Sequence, residues 1–600
     1  NYAMGIMHIG QRDMNWIRIS EDAFKKGLRL KHLGTIFHAM LHQEYGAIVD
    51  KVAVDLYTKP KDVDRLIKDA KKTFDERDAR VMGMTDESVD TFYSCMLCVP
   101  KGENIVFADG SFKKVEVVIS DVVEGDDKEI LSFDTYDFQS QTISELFINP
   151  APRILTRIKL RSGNSLILTS NHKVLVDIKE GLIWQEATKL RKYDTVVSIK
   201  NTNIKNKEQE KNFYLIDFLP LTLKVYDDDF IDYLKEKIIS KYKKLGILAR
   251  EMGINYGRFY QVFYNKSTHR HRLTLEETKR IISKLDLDWN DIKLKIHVFG
   301  TTHSRGYRLF KNKLDEDIMY LAGLIATDGC VRRRQKGTLV QFTNSENTLI
   351  EKFDEIVYSL FGIRTKRIYV KPRISKSRVI EVKAKKPVTV LFVNNSIIGR
   401  LMMGLSIGLR QEKNIKWTGE VISQLSDRLV ASFLRGLFDG DGHVTKSHIL
   451  ISTGSYKIAQ HILLLLKKLD ISSYITQTTR CFQVVTMNFD DYKKFKDTIS
   501  SLYPAKKAKM DEAELYSDIN HVVRSDAVPL KCSKLIQSLF LRYKNRIEFT
   551  KLPIDYKSIE YWRKAKRRAS KEKLKLFLNS IKDSINSCDP DYQELFLWSN

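Results

Sequence analysis

Two short stretches, LAGLIATDG at 321–329 and LRGLFDGDG at 434–442, constrain this chain more than any other feature. Both read L-x-G-L, an apolar residue, two variable positions, then Asp-Gly. Apolar residues at helical spacing predict a helix in each case, with Gly323 or Gly436 on its apolar face. A glycine there lets a neighbouring backbone come very close. Each helix should stop at its Asp-Gly. Packed side by side, the two helices would bring Asp328 and Asp441 together. Two carboxylates at one point repel unless a cation lies between them. Such a pair suits a divalent-metal phosphodiesterase, where metal stabilises the attacking and leaving oxygens. The competing reading makes each Asp-Gly a mere helix stop. Two copies 113 residues apart, each followed by strand-like sequence, favour the paired site.

Charge narrows the partner. The chain has 101 Lys and Arg against 75 Asp and Glu, a net charge of +26 over 600 residues. That balance points to a polyanion, most often nucleic acid; the rival is a solvated lysine-rich surface. No apolar run approaches the length of a membrane span, so no membrane role is expected. The start, NYAMGIMHIG, has no basic region followed by an apolar run, hence no signal peptide, and it lacks Met, as expected of a fragment. Of six cysteines only Cys95 and Cys98 lie close together. That is no disulfide framework, and a reducing cytoplasm is the expected setting.

The pattern predicts a multidomain α/β chain. Long helical patterns fill 1–97. From 98 to 204, short apolar runs with Gly and Asp turns predict a compact all-β unit. A polar linker at 201–212 precedes helices over 213–300. Within them, Ala249, Gly253, Phe259 and Val262 fit a helix-turn-helix, with an ordinary αα-hairpin as the alternative. The basic NKSTHRHR that follows favours DNA. Residues 306–510 repeat a mixed α/β pattern twice, and 511–600 is a basic helical tail.

The tandem motifs resemble the two halves of a monomeric LAGLIDADG homing endonuclease. The resemblance implies Mg²⁺ on Asp328 and Asp441 and double-stranded DNA as substrate. Ala326 stands where the family pattern has a further Asp; Asp439 fills that place in the second motif. The family also has a basic residue before its second motif. Lys413, in QEKNIKWTGEV at 411–421, is chosen for it, with Lys416 as rival and a solvated surface lysine as the plain alternative.

Endonucleases of this type often sit inside inteins. CVPKGENIVFADGSFKKVEVV at 98–118 resembles the first intein block, and Thr169 and His172 meet the Thr-x-x-His of the next. Tyr193 replaces the usual Gly before Asp194. An internal nucleophile can attack the preceding carbonyl and give a thioester. Cys98 would attack Leu97, His172 would protonate the departing nitrogen, and Thr169 would help hold the polarised peptide. The rival role for His172 is a buried, hydrogen-bonded histidine. The chain ends in ELFLWSN without the His-Asn of a complete intein, so Asn600 is expected to be an accidental terminus and the C-terminal splicing segment absent.

An intein from Cys98 makes 1–97 a host fragment. GIMHIGQRDMNWIRIS and ERDARVMGMTDESVDTFYSCMLC resemble the β subunit of the archaeal CO dehydrogenase/acetyl-CoA synthase complex. The resemblance implies that Cys95 is a ligand of a nickel/[4Fe–4S] cluster, which thiolates suit. It also implies CO dehydrogenase and corrinoid subunits as partners, and acetyl-CoA made or cleaved by the spliced host. Cys98 would then only mimic the second cysteine of the pair. Two alternatives remain open here: a DNA-binding protein with a decayed endonuclease, and a metal protein that uses Cys95 and Cys98 together.

Overall fold

The structure, a computed structural model, describes residues 2–5, 98–123, 128–134, 137–143, 147–150, 155–160, 162–178, 180–192, 194–204, 212–265, 271–301, 306–334, 337–371, 374–376, 381–383, 387–407, 417–487, 489–514, 527–547, 552–586 and 588–599. It divides into two compact units, 1–205 with 522–600, and 206–521. Among the described residues no helix is long and apolar enough to cross a membrane.

Between 98 and 204 the first unit is built mainly from short antiparallel strands, but it is not all-β as expected: VEVVISDVV at Val115–Val123, with its run of apolar residues on one face, forms an α-helix. β1 (Tyr2–Gly5) lies between β2 (Cys98–Pro100) and β3 (Phe147–Pro150), with Gly5 opposite Cys98. β4 (Leu155–Lys159) pairs with β5 (Ser165–Thr169), and β2 runs beside β5. β6 (Lys173–Ile178) is flanked by β7 (Gly181–Glu186) and β8 (Thr195–Val196). Short alternating runs of this kind can each cover only one side of a small core.

The second unit opens with helices α1 (Asp228–Tyr242), α2 (Leu245–Glu251), α3 (Tyr256–Tyr264) and α4 (Leu275–Lys284). Gly253, between α2 and α3, has φ +66°. Ala249, Phe259 and Val262 are buried. Thr274 and Glu277 form a reciprocal capping box at the start of α4, which satisfies two otherwise orphan N–H groups.

A duplicated arrangement follows. α5 (Glu316–Asp328) leads into β9 (Gly329–Arg334), β10 (Gly337–Asn344), α6 (Asn347–Phe361), β11 (Lys366–Val370), β12 (Val388–Val393) and α7 (Ser396–Gly404). α8 (Asp427–Asp441) leads into β13 (Gly442–Val444), β14 (Ile449–Thr453), α9 (Tyr456–Lys468), β15 (Ser473–Gln477), β16 (Phe482–Thr486) and α10 (Phe489–Thr498). The sheets share one antiparallel order, β9-β10-β12-β11 and β13-β14-β16-β15. α11 (Pro504–Glu514) closes the unit.

α12 (Cys532–Tyr543), α13 (Tyr556–Arg563), α14 (Lys571–Ile581) and α15 (Pro590–Ser599) belong to the first unit and have their own apolar core. Leu182 of β7 packs against that core. The link to the β strands is polar as well. Asp177 on β6 accepts from the Leu530 N–H at 3.0 Å and pairs with Arg568 at 2.6 Å, and Arg568 also donates to Thr195 Oγ1 at 3.1 Å.

α5 and α8 are the most extensively packed pair of elements among the described residues. Leu321, Leu324, Leu434 and Leu437 are buried, each burial worth roughly 1.5–3 kcal/mol. The crossing point is set by glycine. A Cβ on Gly323 would lie 2.3 Å from the Phe433 carbonyl oxygen and 2.8 Å from the Gly436 Cα; one on Gly436 would lie 2.3 Å from the Tyr320 oxygen. Gly323→Ala should therefore destabilise the second unit by about 3 kcal/mol, since overpacked backbone cannot yield as a side chain can. Chemical denaturation followed by circular dichroism checks this; an unchanged midpoint would refute the backbone-to-backbone crossing.

Candidate functional site

The crossing delivers the two acids. Asp328 and Asp441 are the last residues of α5 and α8, each five positions beyond its crossing glycine. Each helix turns directly into a strand through a glycine with no room for a side chain. A Cβ on Gly329 would meet the Ile325 Cα at 2.6 Å, and one on Gly442 the Phe438 oxygen at 2.4 Å. Asp328 is half-buried and Asp441 exposed.

Side chains from two further segments, 344–346 and 503–506, surround this end. Asn344, at the end of β10, donates to Asp328 Oδ2 at 2.8 Å and accepts from the Glu346 N–H at 2.9 Å. Glu346 accepts from the Tyr503 hydroxyl at 2.8 Å, a bond that raises the Tyr503 pKa. Lys506 on α11 donates to the carbonyl oxygens of Phe438 and Asp439 at 2.7 and 2.8 Å. Burial lowers its pKa, while the negative charges of Asp439, Asp441, Asp328 and Glu346 oppose the loss of its proton. Lys506 is thus held beside both acids. Nothing in the motifs announces it; only its place in a basic run, PAKKAK, could have drawn notice. Lys413 and Lys416 lie outside the described residues.

Asp439 has a different role from Asp441. It is 2% exposed and accepts from the Tyr320 hydroxyl at 2.8 Å, the Leu502 N–H at 3.0 Å and the Ser501 hydroxyl. Burial pushes its carboxyl pKa up, against these three donors. Two residues on a helix differ by about 200° in direction, so one acid enters the core while the other faces out. Ala326, in the matching place on α5, is buried too. The first motif therefore lacks a core acid at this position rather than an outward-facing one.

In the first unit, Thr169 ends β5 and is buried. The His172 N–H donates to the Thr169 carbonyl at 3.0 Å, closing a tight turn, and the His172 carbonyl accepts from Ala187 at 2.8 Å. Cys98 begins β2, the strand that runs beside β5. The backbone thus brings the Cys98 strand against the strand that carries Thr169. Cys95 lies outside the described residues.

These assignments separate by stability. Asp439→Ala leaves a buried N–H and two hydroxyls short of an acceptor and should cost about 1–3 kcal/mol. Asp441→Asn should stay within about 0.5 kcal/mol of wild type in metal-free buffer, because the side chain is exposed. Urea titration of both variants decides the matter; equal losses would make Asp441 a structural residue.

Residues 1–63 match the family described as CO dehydrogenase/acetyl-CoA synthase complex beta subunit, and 74–107 match the C-terminal family of the ACS/CODH beta subunit. Residues 315–401 and 428–500 match a LAGLIDADG-like domain. The chain is 48% identical over 98 residues to carbon monoxide dehydrogenase/acetyl-CoA synthase subunit alpha of Moorella thermoacetica, covering 16% of this chain and 13% of that protein. It is 37% identical over 98 residues to acetyl-CoA decarbonylase/synthase complex subunit beta of Methanopyrus kandleri, covering 16% and 21%. It is 24% identical over 396 residues to the B subunit of the A-type ATP synthase of the same organism, covering 66% and 36%. The chain thus spans 13% to 36% of the length of these relatives. Similar solved structures include mesophilic variants of the homing endonuclease I-DmoI, at 17% identity and TM-score 0.25 over 33% of this chain and 97% of that one. The homing endonuclease I-WcaI bound to its DNA recognition sequence gives 15% and 0.25, over 33% and 87%. The chain therefore carries, ahead of a LAGLIDADG-like domain, a segment of the CO dehydrogenase/acetyl-CoA synthase complex beta-subunit family.

Proposed function

We propose that the chain is a precursor in which an intein, starting at Cys98, interrupts the beta subunit of an acetyl-CoA synthase complex and carries a site-specific, Mg²⁺-dependent DNA endonuclease. The observation that carries the endonuclease reading is the paired ends of α5 and α8, with Lys506 beside both acids. Its domains would be 1–97 host, 98–204 splicing region, 213–300 DNA recognition, 306–510 endonuclease, and 511–600 as the intein's helical tail. A 396-residue match to a protein named for an ATP synthase cannot fit in the first 97 residues, so most of it lies beyond Leu97. This chain and a protein named for an ATP synthase share a long segment, whereas the acetyl-CoA synthase relatives match about 98 residues, as one insertion in two hosts would leave them.

Asp328 and Asp441 offer carboxylate oxygens, which suit a hard divalent cation. Bound there, such a cation would stabilise the attacking and leaving oxygens of a phosphodiester. Asn344 orients the Asp328 carboxylate. Lys506, anchored on two carbonyls, presents a positive charge to the phosphate. A water oxygen forms the new P–O bond as the bond to the leaving sugar oxygen breaks. The substrate is duplex DNA of the uninterrupted host gene. Asp328→Asn or Asp441→Asn should lower cutting of a duplex spanning the uninterrupted FYSCxLC codons by at least about a hundredfold, the scale of lost transition-state charge stabilisation. Lys506→Met should lower it as well. Undiminished cutting by the doubly substituted Asp protein would sink this reading.

In the splicing region, the Cys98 thiolate adds to the Leu97 carbonyl carbon. The carbon–nitrogen bond then breaks, a thioester remains, and His172 delivers a proton to the freed amine. Thr169 helps to hold the peptide. Cys95 belongs to the host, where it would join other ligands of a nickel/[4Fe–4S] cluster; one cysteine alone cannot hold such a cluster. After splicing, the host would act with CO dehydrogenase and corrinoid subunits in the cytoplasm. Hydroxylamine added to the precursor should release a fragment ending at Leu97, read by intact mass. Cys98→Ala should abolish that release and Cys95→Ala should not; the reverse pattern would place the junction elsewhere.

A further inference from the structure

α3 carries its apolar anchors, Phe259, Val262 and Phe263, on one side. Beside them runs a row of tyrosines at helical spacing. Tyr256, Tyr260 and Tyr264 are 54%, 39% and 52% exposed. Tyr256 and Tyr260 have ring centroids 6.0 Å apart, and Tyr260 and Tyr264 stack at 4.3 Å with 18° between planes. The Lys235 ammonium, from α1, sits 3.6 Å from the Tyr264 centroid. Pairs of this spacing stabilise a helix by only about 0.2–0.5 kcal/mol each, little return for three partly exposed rings.

The row is rigidly mounted. Arg258, on the same helix, makes a two-pronged ion pair with Glu277 of α4 at 2.7 and 2.8 Å, and Arg280 of α4 donates to the Met252 carbonyl at 3.0 Å. The Asn255 side chain caps the helix through the Arg258 N–H. Both ties run to α4, one from α3 itself and one from the end of α2. By sequence, residues 235–272 hold ten Lys and Arg against Glu236 and Glu251; of the ten, Lys241, Arg258 and Arg272 pair with Asp286, Glu277 and Asp228.

We propose that the tyrosine face of α3 is a duplex-DNA contact surface that adds a second footprint beside the cut site. This rests on the endonuclease reading above. The fit is geometric and chemical. A helix with its side chains is about 10–12 Å across, close to the roughly 12 Å width of the major groove. Phenol rings pack against thymine methyls and sugar carbons, and their hydroxyls donate to phosphate oxygens. The lysines and arginines around them supply the sequence-independent attraction to phosphate.

The test uses the full chain on a duplex spanning the uninterrupted host codons with flanks of several helical turns. Ca²⁺ replaces Mg²⁺ to hold off cutting. Hydroxyl-radical footprinting of wild type should show protection over the cut region and a separate flanking patch. Tyr260→Ala with Tyr264→Ala should erase the flanking patch and weaken binding about tenfold, the scale of one lost group of base contacts. Circular dichroism matching wild type shows that α3 persists. Tyr260→Phe with Tyr264→Phe should retain the patch, because the rings remain; its loss would overturn the ring contact. A double alanine variant that keeps both patches at wild-type affinity overturns the proposal and leaves the endonuclease reading standing. No protection by wild type at the cut region overturns that reading, and this proposal with it.

Discussion

The contact of Gly323 with Gly436 is the point on which the second unit depends. Helices that carry a Cβ at their crossing keep several ångströms more between their axes. Here the backbones meet, and each glycine would strike the other helix's main chain if it gained one carbon. The helices continue for five residues past that point and stop. The acids they end in are brought close by backbone geometry, against their mutual repulsion. Both sheets begin at the next residue, so the same contact also sets where the two halves lie relative to each other.

Around this axis the polar groups sort by direction. Asp439 and Asp441 sit two positions apart, yet one is sealed in the core by Tyr320, Ser501 and Leu502 and the other is exposed. The buried acid ties α8 to α5 and to the chain beyond α10, which also delivers Tyr503 and Lys506. A sealed acid and an exposed acid thus share one motif, and their facing separates them.

In the first unit, an acid joins distant segments in a similar way. Asp177 lies on β6, the strand that follows His172, and its partners Leu530 and Arg568 come from more than 350 residues later in the chain. Burial raises its carboxyl pKa, and the guanidinium and the backbone N–H oppose that rise. Leaving such an acid without its cation costs several kcal/mol. The helices over 532–599 are therefore held to the strand beside the Thr169–His172 turn by charge as well as by apolar packing.

Local patterns determined a good deal by themselves. The spacing of leucine and glycine, with Asp-Gly at each end, was enough to expect two helices and their stops. Short alternating runs with turn residues marked the β-rich stretch, and a small residue, a turn glycine and apolar anchors marked the helix pair at 245–264. Those features depend on neighbours within a few positions, where periodicity is informative. Tertiary structure alone decided the rest. Lys506 reaches the acids only because α11 folds back over the end of α8, 65 residues after Asp441. Asp177 finds Arg568 only because the last helices return to the first unit. Asp439 faces inward only because α5 supplies Tyr320 there. Contacts between residues far apart in the chain leave no period in the sequence, since chain closure and core packing, not local backbone preference, determine them.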